Sequence, residues 1–183
     1  GQLGLGDTVQ RGDGANEMGD QLPAVNLGAG RTAKSLGAGS EHVCVLLDND
    51  TVKCWGRNSE GNLGLGDVNS RGDAANEMGD QLPVVSLGAG RTVTSLKVGH
   101  SENCAILDNG ALKCWGYNLF GQVGKGTSTN VYGAGPGQMG DALTAIDLGA
   151  GRTAKSVYPG TYSVCAVPTE AKRRHSRRAG FGN

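Results

Sequence analysis

The stretch VCVLLDNDTVKCWGRN, residues 43–58, returns sixty residues later as NCAILDNGALKCWGYN, residues 103–118. Each copy reads as strand, turn, strand: Val43 to Leu47, Asp48-Asn49-Asp50, Thr51 to Trp55, and then Asn103 to Leu107, Asp108-Asn109-Gly110, Ala111 to Trp115. Apolar runs flank a three-residue loop, and such a loop needs a left-handed residue at its end. Gly110 adopts that conformation freely and Asp50 less comfortably. The loop length fixes the register. With Leu107 opposite Ala111, counting back sets Cys104 across from Cys114 and, in the first copy, Cys44 across from Cys54.

Facing cysteines in a hairpin have Cβ atoms about 4.5–5.5 Å apart, close to what a disulfide requires. Each bridge would close an 11-residue ring, for which loop entropy gives roughly 2–3 kcal/mol. Free, half-buried thiols are the alternative. Zinc fits poorly, because nine residues separate the cysteines of a pair and no second Cys or His pair stands nearby. No metal or cofactor is expected. Bridged pairs would place the protein in an oxidising setting, extracytoplasmic or secreted. Cys165 continues the series and is expected to be free or mixed.

Outward from the hairpins, residues 1–60 align with 61–120 without a gap and with 37 identical positions. A third copy, slipped by one residue, follows from Gly121, and Leu27, Leu87 and Leu148 each open the string LGAGRT. Similarity at this period marks units that cannot bury their apolar faces alone. We read repeat units at 1–60, 61–120 and 121–167, the last incomplete, and a basic tail without a fold of its own at 168–183. The 33 glycines and only eight Phe, Trp and Tyr residues suit many short strands with tight turns. Two further β-prone stretches, such as Pro83 to Leu87 and Thr94 to Val98, precede each hairpin, giving four strands per unit. The expected fold is all-β, a partial β-propeller of about three four-stranded blades. Trp55 and Trp115 end the hairpins at equivalent positions and are expected in the blade core.

The sequence GSEHVCVLLDNDTVKCWGRNSEGNLGLGD, Gly39 to Asp67, resembles the repeat of the regulator of chromosome condensation family: a Gly, a His three residues on, an apolar strand, a turn, Trp-Gly, Asn and a closing Gly-x-Leu-Gly. Trp55-Gly56-x-Asn58-x-x-Gly61 recurs as Trp115-Gly116-x-Asn118-x-x-Gly121. The resemblance covers residues 1–167 and implies blades of a seven-bladed ring, with nucleotide exchange on a small GTPase or a chromatin-linked role as the function it suggests. Two departures stand out. His42 is matched by Glu102 and Ser163, and no Lys-Cys-Trp-Gly follows Cys165. Three blades cannot close such a ring, so we expect a fragment completed by the remaining blades of a longer chain, or an assembly of copies.

Other strings carry less. GAGRTAKS at Gly28 to Ser35 is one glycine short of a phosphate-binding loop, but its middle copy loses the lysine and a β-prone stretch follows where a helix is needed. Asp67-x-Asn69-x-Arg71-Gly72 is a poor calcium loop, with Arg71 at a ligand position and Met78 where a bidentate Glu belongs. The long loops, Gly64 to Leu82 and its earlier copy, exceed the usual length for structureless connections. They recur in phase and should line one face, offering Arg11, Asp13, Glu17, Arg71, Asp73 and Glu77 as binding candidates. Residues 1–171 hold 12 Lys and Arg against 17 Asp and Glu, which gives no support to nucleic-acid binding on the repeats. Lys172, Arg173, Arg174, Arg177 and Arg178 restore neutrality and leave that option to the tail alone. No run of apolar residues is long enough to span a membrane. Within the repeats, Ser40 with His42 and His100 with Ser101 are the serine–histidine neighbours, and neither repeats. The composition therefore points to a non-enzymatic scaffold whose loop face recognises a protein or glycan.

Overall fold

The computed structural model describes residues 1–128 and 131–170. Its strands are β1 (Ala33–Ala38), β2 (His42–Leu47), β3 (Val52–Gly56), β4 (Val93–Val98), β5 (Glu102–Leu107), β6 (Leu112–Tyr117), β7 (Val131–Tyr132), β8 (Ala154–Pro159) and β9 (Val164–Pro168). They form three antiparallel sheets in the orders β1-β2-β3, β4-β5-β6-β7 and β8-β9. Single 3-10 turns at Gly19–Gln21, Gly79–Gln81 and Gly140–Ala142 lie in the long connections. The hairpins take the register set by their loops: Cys44 faces Cys54 and Cys104 faces Cys114. Leu107 N–H donates to Ala111 O, and Asp50 and Gly110 both carry the left-handed φ the turn requires, 64° and 76°.

The third sheet buries one face and leaves Tyr158, Cys165 and Val167 exposed, whereas side-chain alternation gives each of the first two sheets a pair of buried faces. On one, Cys44, Leu46, Val52 and Cys54 of the first sheet meet Leu96, Leu107 and Trp115 of the second. The contact recurs one unit on, where Cys104, Ile106, Leu112 and Cys114 meet Ala154 and Val157. Each sheet thus covers the cysteine face of the one before it, and the three are successive blades of a partial β-propeller. The equivalent positions Leu36, Leu96 and Val157 record this stacking: 70%, 8% and 0% exposed. Burying such a side chain contributes about 1.5–3 kcal/mol, so Leu36 forgoes what Leu96 gains from the neighbouring blade.

The sheets are unequal, and among the described residues four strands are complete only in the second. In the first, the fourth strand shrinks to a single bridge, Gly56 with Arg71. In the second the same place holds Val131 and Tyr132, paired with Tyr117 and Gly116. The difference follows from residue type: Val-Tyr favours a strand, whereas Ser70-Arg71 sends its guanidinium back to Asp67. Pro83 to Leu87, expected as a strand, is not one. Its hydrogen bonds are split between two neighbours, Val85 N–H donating to Val52 O and Ser86 O accepting from Gly140 N–H. Among the described residues the third sheet has two strands, β8 and β9, the latter ending at Pro168. The tail residues 171–183, including Lys172, Arg173, Arg174, Arg177 and Arg178, lie outside the described residues.

Candidate binding face and inter-blade joints

The four hairpin cysteines are bonded in the expected pairs, with sulfur separations of 2.10 Å for Cys44–Cys54 and 2.13 Å for Cys104–Cys114. All four are buried, while Cys165 is free and exposed. The two tryptophans occupy equivalent seats. Trp55 Nε1–H donates to Gln2 O at 3.0 Å, and Trp115 Nε1–H to Asn62 O at 3.1 Å. Each indole presses on the glycine two residues further along, and a Cβ added at Gly4 or Gly64 would come within 2.7 Å of the ring nitrogen. The Gly-x-Leu-Gly signature is therefore the seat of the tryptophan. Asn58 and Asn118 close the adjacent turn, their Oδ1 atoms accepting from Leu63 N–H and Val123 N–H.

Between the first two blades a buried polar chain connects these parts. His42 Nε2–H donates to Asn103 Oδ1 at 2.9 Å, and Asn103 Nδ2–H donates to the same Asn62 carbonyl that receives the indole, at 2.7 Å. Burial pushes the His42 imidazole down from its ordinary pKa, so it is held neutral. Between the second and third blades, Glu102 takes the place of His42 and Val164 that of Asn103. Glu102 is fully buried; its Oε2 accepts Ser101 N–H and its Oε1 has no partner among the described residues. Burial pushes its carboxyl up to about 7.

The long loops are braced from within. Glu17 Oε2 accepts the N–H groups of Gly12, Asp13 and Gly14, and Glu77 Oε2 those of Gly72, Asp73 and Ala74, at 2.7–3.1 Å. The Gly14 and Gly12 amides hold the Glu17 carboxyl below its ordinary range. In the third copy Gln138 Oε1 makes the same three bonds without a charge, so shape and not charge is what persists. Arg11 and Arg71 pair with Asp7 and Asp67 at 2.8 Å. Of the six loop candidates, four side chains, Arg11, Glu17, Arg71 and Glu77, are thus turned inward on their own loop. Asp13 accepts from Gln10 Nε2–H, and Asp73 is exposed.

Adjacent loops leave a cleft per unit. The first, about 540 Å³, lies between Leu5, Pro23 and Ala24 on one side and Ala74, Ala75 and Met78 on the other. The second, about 380 Å³, repeats it with Leu65, Pro83 and Val84 against Pro136 and Met139. Neither holds an aromatic side chain. The phosphate-loop-like string is a turn whose Ala29 N–H already donates to the Asp80 carboxylate, as Ala89 N–H does to Asp141. Lys53 Nζ, whose pKa burial lowers, donates to Leu27 O and Gly79 O, and Lys113 Nζ to Leu87 O and Gly140 O. These clasps tie each unit to the next. His100 Nδ1 and Ser101 Oγ are 3.1 Å apart at an exposed edge. No group of three or more His, Cys, Asp and Glu among the described residues could hold a metal, and no helix there is long and apolar enough to cross a membrane.

Asn103 and Glu102 were given no buried role from the sequence, Glu102 being noted only as the residue that matches His42, and the clasping lysines were not singled out. The signal was there for the first two, since Asn103 and Glu102 are positions where otherwise similar copies disagree. The same holds for an aromatic edge in which Phe120 meets Tyr117 and Tyr162 at centroid separations of 6.2 and 5.5 Å, where the first copy has Glu60 and Arg57.

The family described as "Regulator of chromosome condensation (RCC1) repeat" matches residues 33–62 and 93–122. The ultraviolet-B receptor UVR8 of Arabidopsis thaliana is 32% identical over 130 residues, 69% of this chain and 25% of that protein. The X-linked retinitis pigmentosa GTPase regulator of Mus musculus is 33% identical over 98 residues, 54% of this chain and 9% of that one. The chain therefore spans a quarter or less of the length of these relatives. Among solved structures, Prp20p of Saccharomyces cerevisiae superposes with a TM-score of 0.58 at 16% identity, covering 91% of this chain and 37% of that one. The fold agrees with these matches, and the chain carries regulator of chromosome condensation repeats.

Proposed function

We propose that the chain is a non-enzymatic scaffold that recognises an extended protein segment on its loop face. The observation that supports this reading is the pair of clefts one unit apart, lined by the same positions and held open by internally braced loops. Rigid loops bind without a large ordering cost. Small apolar walls with a methionine in each cleft suit peptide side chains, and the absence of aromatic platforms there disfavours sugar rings. With both cysteine pairs bonded, the protein would work in an oxidising compartment. Titration of the native protein should then find one thiol, Cys165; five would remove the compartment reading.

A second reading draws on relatives. Prp20p was solved with attention to its binding to Gsp1p and histones, and the mouse relative is described as a GTPase regulator. Nucleotide exchange on a small GTPase, or a chromatin-linked role, follows by resemblance. Selection of displayed peptides against the whole chain separates the two. Ala75→Arg and Val84→Arg, one in each cleft, should weaken selected peptides about tenfold or more with unchanged melting. Peptides that ignore both substitutions, together with accelerated GDP release from a small GTPase, would favour the second reading.

A further inference from the structure

We infer that the second cleft takes its partner as an added β-strand: an extended, uncharged segment of another protein pairs its backbone with Val84 and sets an apolar side chain in the cleft. This rests on the reading that the loop face binds an extended segment, and it adds how that segment is held. Along Pro83 to Leu87 the backbone polar groups alternate sides. Val85 N–H donates to Val52 O of the first sheet at 2.8 Å, and Ser86 O points the other way to accept Gly140 N–H at 2.9 Å. The alternation puts Val84 N–H and C=O on the Ser86 side of the segment. Together with Ser86 N–H they have no partner among the described residues. Segment and third-copy loop are thus joined at Ser86 and Gly140 and diverge towards Val84, and the cleft of about 380 Å³ is the gap between them.

The facing loop does not close the gap. Pro136 has no N–H, Gly135 N–H is held by Gln138 Oε1, and Gly135 O accepts Gln138 N–H at 3.3 Å. The bracing that shapes this loop therefore leaves the Val84 edge open. The first cleft repeats the plan: Asn26 O accepts Gly79 N–H at 3.0 Å, Ala74 N–H is held by Glu77, and the backbone of Ala24, like that of Val84, has no partner among the described residues. An open edge of this kind is a template for one more strand, main-chain hydrogen bonds supplying affinity and side-chain pockets selectivity. The second cleft decides the side chain. Leu65, Pro83, Val84, Pro136 and Met139 line it with glycines and Ser86, and none of these carries a charge. A charged residue would lose its water there and gain no partner.

The test uses the whole chain, isotope-labelled for amide resonances, and the acetylated, amidated peptide Thr-Thr-Val-Thr-Thr, whose β-branched residues favour an extended backbone. Binding should protect the Val84 and Ser86 amides from hydrogen exchange. Methylation of the peptide nitrogens, one at a time, should weaken binding about fivefold to tenfold at alternate central residues and leave it unchanged at the residues between, because only every second N–H faces Val84. Exchanging the peptide Val for Lys should remove the protection. Equal effects of methylation at adjacent nitrogens, or binding that leaves the Val84 and Ser86 amides exchanging as in the free chain, would overturn strand addition while keeping the loop face as a binding surface. A peptide that perturbs no residue of either cleft would overturn it too, and the wider reading would then stand or fall with the displayed peptides alone. Protection of Val84 that grows with the concentration of the chain by itself would give the edge to a second copy and overturn the assignment to another protein.

Discussion

The joint between the first and second blades and the joint between the second and third are built from the same repeat, and they differ in how they treat buried polar atoms. The first passes hydrogen bonds from His42 through Asn103 to the Asn62 carbonyl, where Trp115 also lands. Among the described residues the second offers a buried Glu102 one amide and its other oxygen no partner, as the first leaves His42 Nδ1 and Asn62 Oδ1 without one, and β9 has no third strand beside it. Apolar stacking is similar in both. What the first joint has, and the second lacks among the described residues, is a hydrogen-bonded chain from blade to blade and a full hairpin on both sides, so the first joint should be the tighter one and the second the one that opens first.

The largest effect should come from Trp115→Ala, which empties the first joint of a fully buried ring. A loss of about 3–5 kcal/mol is expected in denaturant titration. Loss of binding with wild-type stability would instead make Trp115 a ligand contact.

Next in size, Asn103→Val gives the first joint the residue of the second. It strands the His42 N–H and one Asn62 acceptor, for a cost of about 2–3 kcal/mol. An unchanged midpoint would mean the polar chain contributes nothing to the difference between the joints.

Glu102 gives the second joint a pH dependence. Its folded pKa, about 7, stands above the ordinary 4.5. A raised acid stabilises the fold fully below its unfolded pKa, and that contribution is lost as pH rises through the folded value. Stability attributable to Glu102 should therefore fall by roughly 2–3 kcal/mol between pH 4.5 and 7. The depressed pKa of His42 works oppositely, its contribution present above 6.5 and lost as pH falls. The readout is accordingly the difference between wild type and Glu102→Gln, in which His42 cancels. A difference flat with pH would mean that the carboxylate finds a partner on ionising.

The smallest effect should be Gly124→Ala, about 1 kcal/mol from the positive φ alone. Gly64→Ala should cost distinctly more, because its methyl also meets Trp115. Equal melting shifts for the two would show that the methyl at Gly64 is accommodated beside Trp115.

Much of this was legible in the chain. The Asp-Asn-Gly loop dictates the hairpin register, and the register dictates the cysteine pairs, so those followed from local chemistry. Strand number did not follow, because the fourth strand depends on whether a loop side chain stays in the sheet, as Tyr132 does, or turns back on its own loop, as Arg71 does. Pro83 to Leu87 looked like a strand because its residues are β-prone. Val85 and Leu87 are buried while Val84 is exposed, but the backbone bonds that composition cannot reveal go to two different neighbours. The loop candidates were chosen for charge, and four of them brace their loops through contacts across four or five residues that no spacing rule singles out.

Native-state hydrogen exchange tests the inequality of the two joints most directly. Amides of β8 and β9 should exchange through a sub-global opening well below the global unfolding free energy, while those of β5 and β6 exchange only with global unfolding. Protection of β9 equal to that of β5 would contradict the account, since the second joint would then be as firmly closed as the first.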